Sequence, residues 1–171
     1  SLKLLNGFKN SPFLLYLAFY SVHTPLQGRE DLIAKYQAKR QKILDAEERE
    51  FAPEEQVWPV EQARQVRIRQ CHAVYGAMVE AMDEQIGRVL DKLEELGIAD
   101  NTAILFMSDN GGLATSEGSP TSNQPLRGGK GWVYEGGIRE PFLIRWPGVA
   151  EPGSHCDVPV ISTDFYPTIL E

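Results

Sequence analysis

Four residues in this chain have side chains and neighbours that could do chemistry: His23 and Lys130 toward an anion, Asp109 and Asn110 toward a cation. Asp109 and Asn110 offer a carboxylate and an amide carbonyl from adjacent positions. These are hard oxygen donors, suited to calcium or magnesium and poor for zinc. Calcium takes roughly six to eight oxygens, so two donors make only part of a shell. The same Asp-Asn-Gly run is also a turn sequence, because Asp and Asn tolerate left-handed backbone geometry. Lys130 lies in Arg127-Gly128-Gly129-Lys130-Gly131, where flanking glycines let an anion approach the main chain and the ammonium acts as a point charge. A surface lysine in a flexible loop accounts for those residues too. The segment is no P-loop, since the Walker spacing and the following Ser or Thr are missing. His23, beside Thr24-Pro25, has the chemistry of a donor to an anionic oxygen or of a general acid, and also that of a structural histidine at a proline turn.

The elements around these residues would have to bring them together. Residues 13–20 (FLLYLAFY) are nearly all apolar and read as a central strand buried on both faces, ending at His23. Residues 31–50 are rich in Lys, Glu, Gln and Ala and read as a solvated helix. A long helix is predicted over residues 61–96. Val74, Met78, Met82, Ile86, Val89, Leu93 and Leu96 recur at steps of three and four, and Gly97 supplies the stop. Residues 102–107 read as a second apolar strand with Ser108-Asp109-Asn110 at its carboxyl end, and residues 141–146 as a third. Strand, helix, strand implies an α/β sheet with parallel pairing. Between the last two strands, residues 111–137 hold eight glycines and no periodicity. A loop of that length at a strand terminus is where α/β sheets place ligands, and Trp132 and Tyr134 within it favour order.

Composition bounds the function. The 171 residues are 42% hydrophobic and 24% charged, a globular balance with length enough for one core. The longest apolar run, residues 12–20, is too short for a membrane span. A net charge of −7 argues against a nucleic-acid backbone as partner but leaves room for a local anion pocket. Cys71 and Cys156 have no CxxC or zinc-finger context, and either pairing or two free thiols is compatible with them. Leu2-Lys3-Leu4-Leu5 reads as the tail of a helix and Thr163 to Leu170 as the first turns of another, so the chain is expected to be cut within elements at both ends.

The order of these signals resembles type I sulfatases, the arylsulfatase-like members of the alkaline phosphatase superfamily. The resemblance rests on His23-Thr24-Pro25 after the first strand and Ser108-Asp109-Asn110-Gly111-Gly112 after the next. It rests above all on residues 126–148 (LRGGKGWVYEGGIREPFLIRWPG), followed by Ser162-Thr163-Asp164-Phe165-Tyr166-Pro167-Thr168. It covers nearly the whole chain. It implies an α/β, alkaline phosphatase-like sheet flanked by helices, present in part, with residues 1–171 as a central-to-C-terminal piece of a catalytic domain. It implies that Asp109 and Asn110 bind a divalent cation, Ca2+ or alternatively Mg2+, and that Lys130 contacts the sulfate and the leaving-group oxygen. His23 would contact the sulfate. Glu135 and Arg139 are assigned to loop structure, through an ion pair or backbone hydrogen bonds.

The family's covalent step uses a formylglycine made from Cys or Ser in a Cys/Ser-x-Pro/Ala-x-Arg motif. Neither Cys71-His72-Ala73-Val74-Tyr75 nor Cys156-Asp157-Val158-Pro159-Val160 supplies it. The N-terminal acidic metal ligands and the Lys-x-His segment of the family are missing too. The resemblance therefore implies a parent enzyme that hydrolyses small-molecule or glycan sulfate esters, in a periplasmic, secreted or lysosomal setting, while this chain alone is expected to show no turnover. A phosphodiesterase or phosphonate monoester hydrolase of the same superfamily, or a non-catalytic binding module, are the competing readings. An uncovered sheet edge would make the chain self-associate.

Overall fold

The computed structural model describes residues 2–46, 49–59 and 61–171. Helix α1 (Leu2–Phe8) opens the chain, and α2 (Glu30–Ala46) follows with Glu30 and Asp31 in its first turn, where carboxylates meet the positive end of the helix dipole. Strands β1 (Phe51–Pro53) and β2 (Gln65–Arg67) pair antiparallel, with Ala52 opposite Val66. The longest element is α3 (Ala73–Glu95). Strand β3 (Ile104–Met107), the short helix α4 (Glu135–Ile138) and strand β4 (Phe142–Arg145) come next, and α5 (Phe165–Leu170) closes the order.

Helix α3 packs against α2 and α1. Salt bridges pin it to α2 and to the residue just before α2, Lys35 to Glu80 at 2.5 Å and Arg29 to Glu84. Its buried stripe includes Ala77, Met78 and Leu93. Leu93 joins Leu5 and Ala99 in a core cluster, with Phe13, Leu15, Val89, Leu96, Ile98 and Ile104 partly buried against it. This cluster ties α1 and α3 to the start of β3; a fully buried leucine of this kind contributes about 1.5–3 kcal/mol. Gly97 ends the helix as its position implied: at φ +67 it donates to Glu94 O, while Ile98 N donates to Leu93 O.

Three expectations need correction. The helix predicted over residues 61–96 begins only at Ala73. Val66 and Arg67 are buried in the β1–β2 hairpin, and His72 caps α3 by accepting from Tyr75 N–H at 3.2 Å. Residues 13–20 form no strand ladder and are largely exposed, with Leu14 at 81% and Tyr16 at 87%. Phe13 and Leu15 face the core cluster while their neighbours face outward. Apolar composition here creates a face without a hydrogen-bonded strand to cover it. Finally, pairing among the described strands is antiparallel, β3 with β4 placing Leu105 opposite Ile144. A parallel pair needs a crossover, usually helical, whereas the glycine-rich loop between β3 and β4 turns the chain back on itself. Both cysteines are free thiols, Cys71 buried and Cys156 exposed. Among the described residues no helix is long and apolar enough to cross a membrane.

Candidate functional site

Beyond Met107 the main chain turns sharply. Ser108 Oγ donates to Asn110 O at 2.8 Å, closing the turn that carries Asp109 and Asn110. Gly111 N then donates to Gly137 O at 3.2 Å, so the far end of the long loop lies directly against the strand terminus. The approach is too close for a side chain: a Cβ on Gly111 would overlap the carbonyl of Gly136. Gly112 is read by Asn123 on both sides. Asn123 Oδ1 accepts from Gly112 N at 3.1 Å, and its Nδ2 donates to Gly112 O at 2.8 Å and Gly128 O at 3.1 Å. The second lone pair of Gly112 O takes the N–H of Lys130 at 3.1 Å. One asparagine thus gathers both halves of the loop and sets Lys130 beside the end of β3.

The flank of the loop is held by alternating cations and rings. The Arg127 guanidinium lies 3.7 Å from the centroid of Tyr134, Tyr134 stacks with Trp132 at 6.1 Å, and Arg64 lies 5.4 Å from the Trp132 ring. Trp132 Nε1 donates to Thr115 Oγ1 at 2.9 Å, and Arg127 Nε donates to Gln56 O. Glu135 and Arg139 form an i,i+4 ion pair at 3.5 Å across α4, in keeping with the loop role assigned to them.

The structure brings His23 to Lys130. Although 107 positions apart, Lys130 Nζ and His23 Nε2 lie 2.8 Å from each other. His23 Nδ1 lies 2.7 Å from Thr24 O, an atom that only accepts, so Nδ1 carries the proton and Nε2 accepts a hydrogen bond from the ammonium. Lysine has three N–H donors. One is spent on His23, and two are left for an anion.

Asp109 and Asn110 stand at the end of β3, joined to this pair through the backbone by the bond between Lys130 N and Gly112 O. Asp109 is exposed and Asn110 half-buried. Near Asp109 the sequence reading missed Glu140. Its Oε1 is buried with no hydrogen-bond partner, and burial, with the nearby charge of Asp109, pushes its carboxyl above the ordinary carboxylate range. A buried carboxylate oxygen with no donor beside a second carboxylate is a place short of positive charge. A hard divalent cation fits that deficit, and Asp109, Asn110 and Glu140 are all oxygen donors. Among the described residues no three His, Cys, Asp or Glu side chains assemble as a complete cation site. A groove of 360 Å³ between α1 and α3, lined by Leu2, Leu17, Phe19 and Val89 among others, contains none of the four predicted residues. Glu140 lies within the family-like stretch 126–148 but was given no role there, and Asn123 carried no motif; an asparagine inside a glycine-rich loop was the one available hint.

Comparison with known proteins places the chain in a family. The sulfatase family profile matches residues 2–171. A sulfatase of Formosa agariphila is 40% identical over 171 residues, covering 95% of this chain and 26% of that protein. Human steryl-sulfatase is 33% identical over 166 residues, covering 94% of this chain and 23% of that protein. The crystal structure of Ps i-CgsB superposes with a TM-score of 0.72 at 31% identity, covering 98% of this chain and 31% of that one. This chain therefore spans about a quarter of the length of these curated relatives. A match along essentially its whole length, in sequence and in fold, means that the chain belongs to the sulfatase family.

Proposed function

We propose that this chain supplies the anion-binding part of a sulfuric ester hydrolase, with Lys130 and His23 as the groups that meet the sulfate ester. The observation that carries the reading is the 2.8 Å contact between Lys130 Nζ and His23 Nε2. Two remote residues with the right chemistry meet at the end of a glycine-rich loop. With Nε2 holding one ammonium hydrogen, Lys130 directs its other two N–H groups outward, one toward a sulfate oxygen and one toward the ester oxygen that departs. Negative charge developing on that oxygen is stabilised by a donor already in place. Asp109 and Asn110 would hold a divalent cation, with Glu140 at their side. Such a cation, when bound, supplies Lewis-acid neutralisation of the sulfate oxygens and a template for the nucleophile. The covalent nucleophile of the family has no counterpart in this sequence, so the chain alone binds and does not turn over.

The test has two arms. Incubation of the purified chain with 4-nitrophenyl sulfate is expected to release no 4-nitrophenol; sustained release would contradict this. Titration with inorganic sulfate is expected to show weak binding that falls about tenfold, or ~1.4 kcal/mol, in Lys130→Ala. Equal binding by Lys130→Ala and the unaltered chain would remove Lys130 from the site.

A further inference from the structure

His23 sits in an unusually determined setting for an exposed side chain. Its own N–H donates to Tyr20 O at 2.9 Å, and its ring packs against Tyr20 with centroids 5.5 Å apart. The Tyr20 hydroxyl donates to Thr24 O at 2.7 Å, the same carbonyl that receives His23 Nδ1–H at 2.7 Å. A carbonyl oxygen has two lone pairs, and here both are used. The Thr24 hydroxyl in turn donates to Glu117 Oε2 at 2.6 Å, across 93 positions of sequence.

Glu117 belongs to a stretch of the long loop with no part in the site as described so far. Its backbone is at φ 50 and that of Ser119 at φ 45, conformations that residues other than glycine rarely adopt. The surroundings hold that bend in place. Arg67 Nε, buried, donates to Ser119 O at 2.9 Å, and Ser119 Oγ donates to Gln65 O at 3.0 Å. The bend therefore rests on the β1–β2 hairpin and presents the Glu117 carboxylate to Thr24.

We infer that Tyr20, Thr24 and Glu117 are positioning residues for the His23–Lys130 pair: together they hold the Thr24 carbonyl on His23 Nδ1 and so aim the Nε2 lone pair at Lys130. Loss of that hold lets the imidazole take the alternative tautomer. An Nε2–H would then face the ammonium N–H groups, two donors would oppose each other at 2.8 Å, and the contact that orients Lys130 would break. The inference depends on the sulfatase reading only in naming sulfate as the anion. The tautomer is a property of the chain itself.

The experiment reads the imidazole directly. Long-range 1H–15N correlation spectra of the 15N-labelled chain distinguish Nδ1–H from Nε2–H. The chain has 3 histidines, and His23→Gln assigns the signals of interest. The unaltered chain is expected to show His23 with Nδ1 protonated. Glu117→Ala and Tyr20→Phe are expected to move His23 toward the Nε2–H form, while Glu117→Gln, which keeps an acceptor for Thr24, retains the original pattern. A merely structural role would lower the melting temperature and leave the tautomer unchanged. An Nε2–H imidazole in the unaltered chain would overturn the inference, as would Glu117→Ala and Tyr20→Phe spectra identical to it. Inorganic sulfate added to the same sample is the separate arm. If it shifts neither His23 nor Lys130, the sulfate reading of the site fails while the tautomer result stands by itself.

Discussion

At the N-terminus of α3 an imidazole does the work usually given to a serine or aspartate. His72 Nδ1 accepts the N–H of Tyr75 at 3.2 Å, which requires that nitrogen to be unprotonated. Burial lowers the pKa of His72 from its ordinary value near 6.5, and the charge of Arg67 lowers it further. The unfolded chain therefore binds a proton more readily than the folded one, and stability rises with pH through this window. His72 should contribute fully above pH 6.5, with its contribution lost as pH falls from there through the lower folded value. Thermal melts at a series of pH values should show that decline in the unaltered chain. His72→Asn, which caps without titrating, should flatten it; an unchanged slope in that variant would reassign the dependence to other groups. At this scale the sequence was legible where residue type alone names a chemistry. His23, Asp109, Asn110 and Lys130 were candidates because imidazole, carboxylate, amide and ammonium stood at predicted strand ends or among glycines, and the family resemblance joined them. Asn123 bonds backbone groups and Glu117 the Thr24 hydroxyl, partners that only the folded loop brings to them, and nothing in their local sequence marks that.

The elements are joined by a buried ionic knot that no pattern in the sequence announced. Arg67, 2% exposed, bonds Glu50, lies 4.5 Å from the Phe51 ring centroid and reaches the loop at Ser119 O. Arg40 of α2 binds the other Glu50 oxygen at 2.6 Å, and the Cys71 thiol lies 3.5 Å from Glu50. The knot thus links α2, the β1–β2 hairpin, the start of α3 and the loop that carries Lys130. Burial opposes the charge on Glu50, but hydrogen bonds from Arg67 and Arg40 outweigh it and hold its carboxyl below the ordinary 4.5. Its contribution is accordingly present above that pH and is lost as pH falls through the lowered value. Arg67→Ala leaves Glu50 Oε1 without its guanidinium partner, with Arg40 still on Oε2, and should cost about 3 kcal/mol in urea unfolding. Adding Glu50→Ala should restore at least about 1 kcal/mol, since the two effects share one cause. Strict additivity would show that Arg67 acts through Phe51 and Ser119 instead. Helix periodicity found α3 but overran its start, because residues 61–72 carry polar and apolar residues that suit either element until β2 pairs with β1. Strand direction was misread for a related reason: pairing is decided by what the connecting loop permits, and glycines permit a reversal.

The whole molecule leaves far more of itself in water than a compact protein of its size. The chain exposes 12258 Å², whereas a monomer of 19.2 kDa would expose about 8,400 Å². The excess is apolar in character at identifiable places. Leu14, Tyr16 and Leu17 stand out along residues 13–20, and Leu143 and Ile144 along β4, which has β3 as its only described partner. A two-stranded ribbon is marginal on its own, and an unpaired edge with apolar side chains is a template for another chain. The sequence already showed that residues 13–20 must be covered, since nothing else explains eight successive apolar or aromatic side chains. What it could not show is whether the covering surface lies within these residues. In isolation the chain should therefore self-associate: sedimentation velocity from micromolar toward millimolar concentration should show a rising weight-average coefficient, and melting should be broad. The double variant Leu14→Lys/Tyr16→Lys should suppress association if the uncovered apolar segment drives it, and Leu143→Lys should do so if the strand edge does. A concentration-independent monomer with a sharp melt would mean that the exposed apolar faces are stable in water and drive no association.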